Sequence, residues 1–142
     1  MKIPNITIDT NVIVAGLKSN LGTSHALLQL IGKNKFESNI SVPLILEYEK
    51  VLLDPKLDIP FTKEEIVKIL NFVCANSRHH KIYYLWRPFL KDEKDDMVLE
   101  LAVASKSAFI ITFNKKDFVG VEKFGIQILT PKKFLEKIGE IR

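Results

Sequence analysis

The sequence has 142 residues, of which 46% are hydrophobic and 27% are charged, and its formal net charge is +4. These values are typical of one globular domain spanning residues 1–142, and they exclude disordered, collagen-like and coiled-coil classes. One cysteine, Cys74, excludes a disulfide framework, and the lack of both an apolar run near ~20 residues and a signal-peptide core predicts a cytoplasmic protein with no membrane partner.

The first half of the chain alternates between strand and helix patterns. Strands are predicted over residues 3–8 and 36–41, where β-branched and other apolar residues cluster. A helix is predicted to begin near Thr23 with an apolar face at helical spacing, and another follows directly after the second strand. Beyond a loop bracketed by prolines, Thr62 and Glu65 have the spacing of a capping box and predict a third helix.

The second half of the chain predicts three more strands and two more helices. In chain order these are a strand over Lys81–Trp86, a helix opened by Asp95 and Asp96, strands over Ala108–Thr112 and Gly125–Leu129, and a helix starting at Thr130–Pro131. This alternation predicts an α/β fold in which helices cover both faces of a mainly parallel sheet. Such sheets bind ligands at the carboxyl ends of their strands.

Acidic residues stand at or near these predicted strand ends. They are Asp9, Glu47, the group Asp92, Asp95 and Asp96, and Asp117. Asp9 comes directly after the first strand, and Glu47 lies in the helix after the second. Each has an ordinary alternative role, since acids cap turns and stabilise helix N-termini by ~0.3–1 kcal/mol.

Convergence of these acids would require a counter-charge. Two carboxylates about 5 Å apart repel by ~3 kcal/mol at an effective dielectric constant of about 20. A divalent cation can neutralise such a cluster, and hard oxygen ligands without histidine or thiol select magnesium or manganese. Ions held in this way activate water and stabilise the leaving oxygen of a phosphodiester. The acids therefore predict metal-dependent phosphoryl chemistry.

Four segments of the chain resemble the motifs of PIN-domain ribonucleases in order, spacing and context. They are Ile8–Val14 (IDTNVIV), Ser41–Leu52 (SVPLILEYEKVL), Asp95–Ala102 (DDMVLELA) and Ile110–Phe118 (IITFNKKDF). The sequence is most similar to the VapC-like toxin components of prokaryotic toxin–antitoxin systems.

The resemblance implies a three-layer α/β/α sandwich and a magnesium- or manganese-dependent endoribonuclease that cleaves single-stranded RNA. Carried over by position, the catalytic and metal-binding acids are Asp9, Glu47, Asp96 and Asp117. Asp96 is preferred to Asp95 because it keeps the family's separation from the strand that ends at Thr112. Many relatives have aspartate where this chain has Asn114, which adds no negative charge, so the sequence leaves open whether one or two ions bind.

The resemblance also implies supporting residues near the acids: Thr10, Asn11, Asp95, Thr112 and Asn114. Those with hydroxyl or amide groups could orient water or a ligand acid, or could serve only as turn and strand-end residues. Lys115 and Lys116 are candidate RNA-binding residues, and a lysine-rich edge at Lys123, Lys132 and Lys133 could add to them or be a solvated face. Trp86, Phe89 and Phe113 could stack on unpaired bases or pack in the core.

The expected partners are single-stranded RNA, a protein antitoxin and a second copy of the chain in a homodimer. A different class of function is a non-catalytic PIN domain that binds RNA or assembles a complex, and Asn114 favours it mildly. A third is an aspartyl phosphotransferase with Asp9 as nucleophile, which Asn11 opposes because such enzymes need an aspartate there. His79 and His80 are not expected to bind metal, and Cys74 is expected to be a small core residue.

Overall fold

Five parallel strands form the central sheet of the computed structural model, which describes residues 2–142. The strands are β1 (Asn5–Ile8), β2 (Glu37–Ile40), β3 (Arg78–His79), β4 (Phe109–Ile111) and β5 (Gln127–Leu129), in the spatial order β3-β2-β1-β4-β5. β1 is central, and its last residue, Ile8, pairs with Ile111 of β4. Both of these strands therefore end at the same level of the sheet.

Six α-helices surround the sheet within the described residues 2–142. They are α1 (Thr10–Lys18), α2 (Thr23–Gln29), α3 (Val42–Leu52), α4 (Lys63–Ala75), α5 (Glu93–Ala104) and α6 (Pro131–Lys137), with 3₁₀ turns at Pro55–Leu57, Lys115–Phe118 and Val121–Phe124. The capping box of Thr62 and Glu65 is present at the start of α4, and Thr130 caps α6. Within residues 2–142, no helix has both the length and the apolar composition needed to cross a bilayer.

The strand order produces three layers. From β1 the chain moves outward to β2 and β3, then returns across the sheet to β4 and β5. Because parallel connections are right-handed, α1 to α4 cover one face, and α5 covers the other. α5 contacts β1, β2 and β4, and α6 packs against α2. The three-layer α/β/α sandwich with a parallel sheet is confirmed.

The first helix is absent from the sequence-based prediction. Residues 12–14 are Val, Ile and Val, a β-branched run that is typical of strands. In the structure Asp9 ends β1 and caps α1, because its carboxylate accepts a hydrogen bond from the Thr10 amide. Val12 and Ile13 are then buried by the helix rather than by the sheet. A capping aspartate thus overrides the local strand propensity.

The prediction of a strand over Lys81–Trp86 is wrong. The third strand is Arg78–His79, which pairs with β2, and residues 80–87 have no regular secondary structure. Aromatic and β-branched residues gave this segment its strand pattern. Tyr83, Tyr84 and Leu85 are instead exposed, and the segment is held by side chains of α5. The fifth helix also begins earlier than predicted, at Glu93 with Asp92 as its cap.

Candidate active site

A cleft of about 370 Å³ opens at the carboxyl ends of β1 and β4. Its walls carry acidic side chains from four separate parts of the chain: Asp9 after β1, Glu47 on α3, Asp92 and Asp95 at the start of α5, and Asp117 in the turn after β4. Thr10, Asn11 and Asn114 also line the cleft. The fold therefore brings together three of the four acids that were predicted as catalytic, namely Asp9, Glu47 and Asp117.

Asp9 is fixed at the bottom of this cleft. The residue is only 8% exposed, and Oδ1 accepts a hydrogen bond from the Thr10 amide at 2.8 Å. The buried Tyr48 hydroxyl donates to the carbonyl of Ile8, which ties α3 to the end of β1. Burial raises the pKa of Asp9, the hydrogen bonds from Thr112 and Thr10 lower it, and the charges of Asp117 and Glu47 raise it further.

A small hydrogen-bond network orients the second oxygen of Asp9. The Thr112 hydroxyl donates to Asp9 Oδ2 at 2.8 Å and accepts from Asn11 Nδ2 at 3.2 Å and from the Asn114 amide at 3.0 Å. The Asn11 side chain also accepts from the Phe113 amide at 3.5 Å. Thr112 is fully buried. It therefore holds the Asp9 carboxylate and the loop after β4 in one arrangement.

Asp95 is the acid whose titration differs most from its ordinary behaviour. Its pKa is raised from 3.8 to about 7, first because the carboxyl is partly buried and then because Asp9 and Asp117 are negatively charged nearby. Asp92 and Asp96 contribute in the same direction. The cleft thus concentrates negative charge that the described protein groups do not fully compensate, which is the electrostatic condition for binding a cation.

Asp96, which was predicted as the third catalytic acid, does not line this cleft, and its catalytic role stays a prediction. The residue is 1% exposed. Oδ1 accepts hydrogen bonds from the amides of Leu90 at 2.8 Å and Phe89 at 3.3 Å. Its neighbour in the sequence, Asp95, does line the cleft.

Glu47 has a cationic neighbour inside the cleft. The Lys94 Nζ atom lies 3.9 Å from Glu47 Oε1, and the Glu47 side chain is 14% exposed. Lys94 belongs to the first turn of α5, one residue before Asp95. This ammonium group partly offsets the acidic charge and is the one cation that lines the cleft among residues 2–142.

The turn after β4 supplies the outer wall. Asn114 and Asp117 line the cleft, and the exposed Lys115 and Lys116 lie between them in the 3₁₀ turn Lys115–Phe118. The two lysines therefore lie near the entrance of the cleft, where a polyanion would approach.

The donor set fits a hard divalent cation in its chemistry. Every acid of the cleft offers carboxylate oxygens, and Asn114 offers an amide oxygen, which are ligands that magnesium and manganese prefer. In the part of the chain that the structure describes, no three His, Cys, Asp or Glu side chains are already close enough together to hold an ion. Binding would therefore require the carboxylates to close in, with release of the contact between Lys94 and Glu47.

Sequence reasoning did not assign Asp92 or Lys94 to the site. Asp92 had a visible signal, because it belongs to the same acidic cluster as Asp95. No feature of the sequence pointed to Lys94, since a lysine in the first turn of a helix is usually solvated. Apolar residues complete the wall: Val14, Val51 and Leu57.

The two adjacent histidines and the cysteine do not line the cleft. His79 Nε2 lies 2.8 Å from the carbonyl of Cys74, and His80 Nε2 lies 2.8 Å from Asn39 Oδ1. Burial lowers the pKa of His80, and the charges of Arg78 and His79 lower it further. Cys74 is partly buried and packs against the core.

Comparisons with known proteins agree with this architecture. The family model of the PIN domain matches residues 5–116. Among solved structures, a chain of VapBC2 from Rickettsia felis, crystallised bound to a DNA fragment from their promoter, matches with a TM-score of 0.61 and 16% identity. The match covers 87% of this chain and 98% of that one. No curated protein matches the sequence significantly. The chain belongs to the PIN-domain family.

Proposed function

We propose that this PIN domain is a magnesium- or manganese-dependent endoribonuclease that cleaves single-stranded RNA. The observation that carries the proposal is the cleft at the strand ends, where Asp9, Glu47, Asp95 and Asp117 come together from four separate segments. A fold that gathers carboxylates around one cleft in this way, and raises the pKa of Asp95 to about 7, is destabilised by their repulsion unless a positive ligand binds there.

The metal-binding residues in this proposal are Asp9, Glu47, Asp95 and Asp117, with the side-chain oxygen of Asn114 as a neutral ligand. A bound magnesium or manganese ion supplies Lewis-acid polarisation of the phosphate and lowers the pKa of a water molecule. Asp96 is not included, because it does not line the cleft and its Oδ1 atom accepts hydrogen bonds from two backbone amides.

The chain's own residues have distinct tasks. Thr112 and the Thr10 amide keep the Asp9 carboxylate oriented. With the cleft free of cations, Asp95 holds a proton up to about neutral pH. Lys94 pairs with Glu47 in that state, and its ammonium group becomes available to an RNA phosphate when Glu47 turns to another partner. Lys115 and Lys116 attract the RNA backbone at the entrance.

We further propose that the chain acts as the toxin of a toxin–antitoxin pair and forms a homodimer. The PIN family membership supports the nuclease class, and the fold shared with a chain of the R. felis VapBC2 structure supports a protein partner. The homodimer has no direct support and stays a prediction. Its measurement is the molar mass of the purified chain by light scattering, for which the monomer mass is 16.2 kDa.

A non-catalytic PIN domain that binds RNA is the second candidate. Lys94 beside Glu47 and the neutral Asn114 favour it, because both reduce the negative charge available for an ion. Wild-type protein that binds single-stranded RNA but leaves a varied pool of RNAs uncut with either ion would support this candidate over the nuclease.

The deciding experiment compares two neighbouring variants. Asp95→Asn should lower the rate of magnesium- or manganese-dependent RNA cleavage by at least about 100-fold, because ion-mediated charge stabilisation supplies several kcal/mol. Asp96→Asn should keep most of the activity of the wild-type protein and lower the free energy of unfolding by ~1 kcal/mol, since it weakens two charge-assisted hydrogen bonds. The reverse pattern would restore Asp96 as the third catalytic acid.

A further inference from the structure

The segment between β3 and α5 exposes aromatic side chains. Residues 80–87 leave the sheet without forming regular structure. Tyr84 is 69% exposed and Phe89 is 36% exposed, values that are unusual for large aromatic rings in a protein of this size. Nothing in the nuclease proposal uses them.

These rings form one continuous chain. The Tyr84 ring centroid lies 5.0 Å from that of Trp86, Trp86 lies 5.0 Å from Phe124, and Phe124 lies 5.5 Å from Phe89. Trp86 and Phe124 are partly buried and pack against the core, so they support the two exposed end rings. Tyr84 and Phe89 therefore present aromatic surfaces to solvent, and Trp86 and Phe124 hold them in position.

The acids on α5 hold this aromatic chain in place. Glu100 accepts hydrogen bonds from the Trp86 amide at 2.9 Å and from Arg87 Nη2 at 2.6 Å. Asp96 accepts from the Phe89 amide, and the next acid along the helix, Asp95, lines the cleft. The Phe89 backbone is thus held by the residue that follows Asp95, one of the proposed metal-binding acids, on α5.

Cationic groups accompany the rings. The Lys123 Nζ atom lies 5.7 Å from the centroid of the Phe89 ring. Lys81 and Lys91 are exposed in the same segment, while Arg87 pairs with Glu93 and Glu100. Aromatic rings interleaved with lysines match the bases and phosphates of an unpaired nucleic-acid strand. A purely apolar protein partner would leave these ammonium groups without partners.

We propose that Tyr84 and Phe89 are stacking platforms for unpaired bases of an RNA strand whose phosphates continue into the acidic cleft. This subsite rests on the proposed endoribonuclease function, and it gives that function a preference for single strands, since bases inside a duplex already stack on their neighbours and cannot reach a side chain. Lys123 binds the phosphate next to the base that stacks on Phe89.

The single tryptophan of the chain, Trp86, reports on this surface directly. Metal-free protein in chelator, which cannot cleave, is titrated with a single-stranded oligoadenylate of ten nucleotides. We expect saturable quenching of Trp86 fluorescence, because it contacts Tyr84 and Phe124. Tyr84→Ala should raise the Kd at least about fivefold, the low end of the effect of losing one stacked base. Phe89→Leu should do the same.

A matched control is Phe72→Ala, which removes another exposed aromatic ring on α4, outside this surface. It should leave the Kd within about twofold of the wild-type value, and an RNA duplex of equal length should not quench Trp86. Equal Kd values for wild type, Tyr84→Ala and Phe89→Leu would overturn the proposal. A wild-type dimer that Tyr84→Ala dissociates, with unchanged RNA affinity, would overturn it in favour of a protein interface.

The outcomes separate this subsite from the nuclease proposal. Base stacking with no cleavage by the metal-loaded wild-type protein contradicts the nuclease and keeps the subsite. Cleavage that proceeds with unchanged Kd in both aromatic variants contradicts the subsite and keeps the nuclease.

Discussion

Two adjacent faces of α5 carry acids that the fold treats in opposite ways. Asp96 and Glu100, one helical turn apart, are 1% and 2% exposed, and both accept hydrogen bonds from the segment over residues 86–90. Asp95 faces the cleft, where partial burial and the charges of Asp9 and Asp117 raise its pKa to about 7. Asp96 and Glu100 stabilise the folded protein through their hydrogen bonds, whereas Asp95 is repelled by the negative charges around it.

This difference distinguishes structural acids from candidate catalytic ones. A buried carboxylate that accepts several N–H groups is fully used by the fold and has little to offer a ligand. Carboxylates that raise each other's pKa gain more from a cation than from the protein around them. Proximity in sequence does not reveal which group an acid belongs to, since Asp95 and Asp96 are neighbours.

The largest expected effect is on the structural face. Arg87→Met removes the guanidinium that donates to Glu100 and leaves that carboxylate buried with the Trp86 amide. We expect the free energy of unfolding to fall by ~3 kcal/mol, the low end for a broken buried ion pair, because Glu100 is left buried with an uncompensated charge while the Arg87 side chain is partly exposed. Urea denaturation of the wild-type protein and the variant measures this difference in the free energy of unfolding.

A second variant tests the reason for that loss. Arg87→Met combined with Glu100→Leu removes the buried charge together with its partner, and it should recover part of the lost stability. A loss below ~1 kcal/mol in the single variant would mean that the pair behaves as an exposed ion pair, and the contrast between the two faces of α5 would weaken.

The next largest effect is on the cleft. Thr112→Val removes the hydroxyl that orients Asp9 Oδ2 and accepts from Asn11 and Asn114. We expect the affinity for manganese to fall by ~10–100-fold, the usual effect of losing a group that orients a metal ligand. Isothermal titration calorimetry measures this affinity for manganese. Thr112→Ser keeps the hydroxyl and should bind manganese nearly as well as wild type, whereas equal losses in both variants would point to packing instead.

The sequence predicted much of the fold because most of its signals are local. Two helix starts, the capping pair of Thr62 and Glu65 and the Thr130–Pro131 pair, depend only on contacts within one helical turn. Tertiary packing therefore does not alter them. The prediction of a strand over residues 81–86 was wrong because its signal is not local. Its strand pattern depends on a partner strand, but the side chains of α5 hold it away from the sheet.

The sequence predicts where the candidate site lies in the fold, but not every residue that lines it. Asp9 follows β1 directly and Asp117 lies in the short turn after β4, so the parallel topology brings both to one edge of the sheet. Choosing between Asp95 and Asp96 requires the rotation of α5, and an error of one residue in the helix start turns the face by about 100°. Lys94 depends on the same rotation, which only the packing of α5 against the sheet determines.

The smallest predicted effect is the pH dependence of stability in the absence of divalent ions. The folded protein holds the Asp95 proton up to about pH 7, whereas the unfolded chain releases it near pH 3.8. The folded state therefore binds more protons between these values, and the free energy of unfolding falls as pH rises through that window and levels off above it. Since the carboxyl is partly exposed, we expect solvent screening to limit the Asp95 contribution to ~0.5–1 kcal/mol.

Asp95→Asn isolates this contribution from the other titrating groups, such as His80 and Asp9, because they are shared by both proteins. In urea denaturation with chelator, the variant should match wild type near pH 4 and exceed it in stability at pH 8. Magnesium should then reverse the order at pH 8, since it binds the ionised carboxylate and stabilises wild type by mass action. A variant less stable than wild type in chelator at pH 8 would mean that Asp95, like Asp96, is an acid that the fold uses for its own stability.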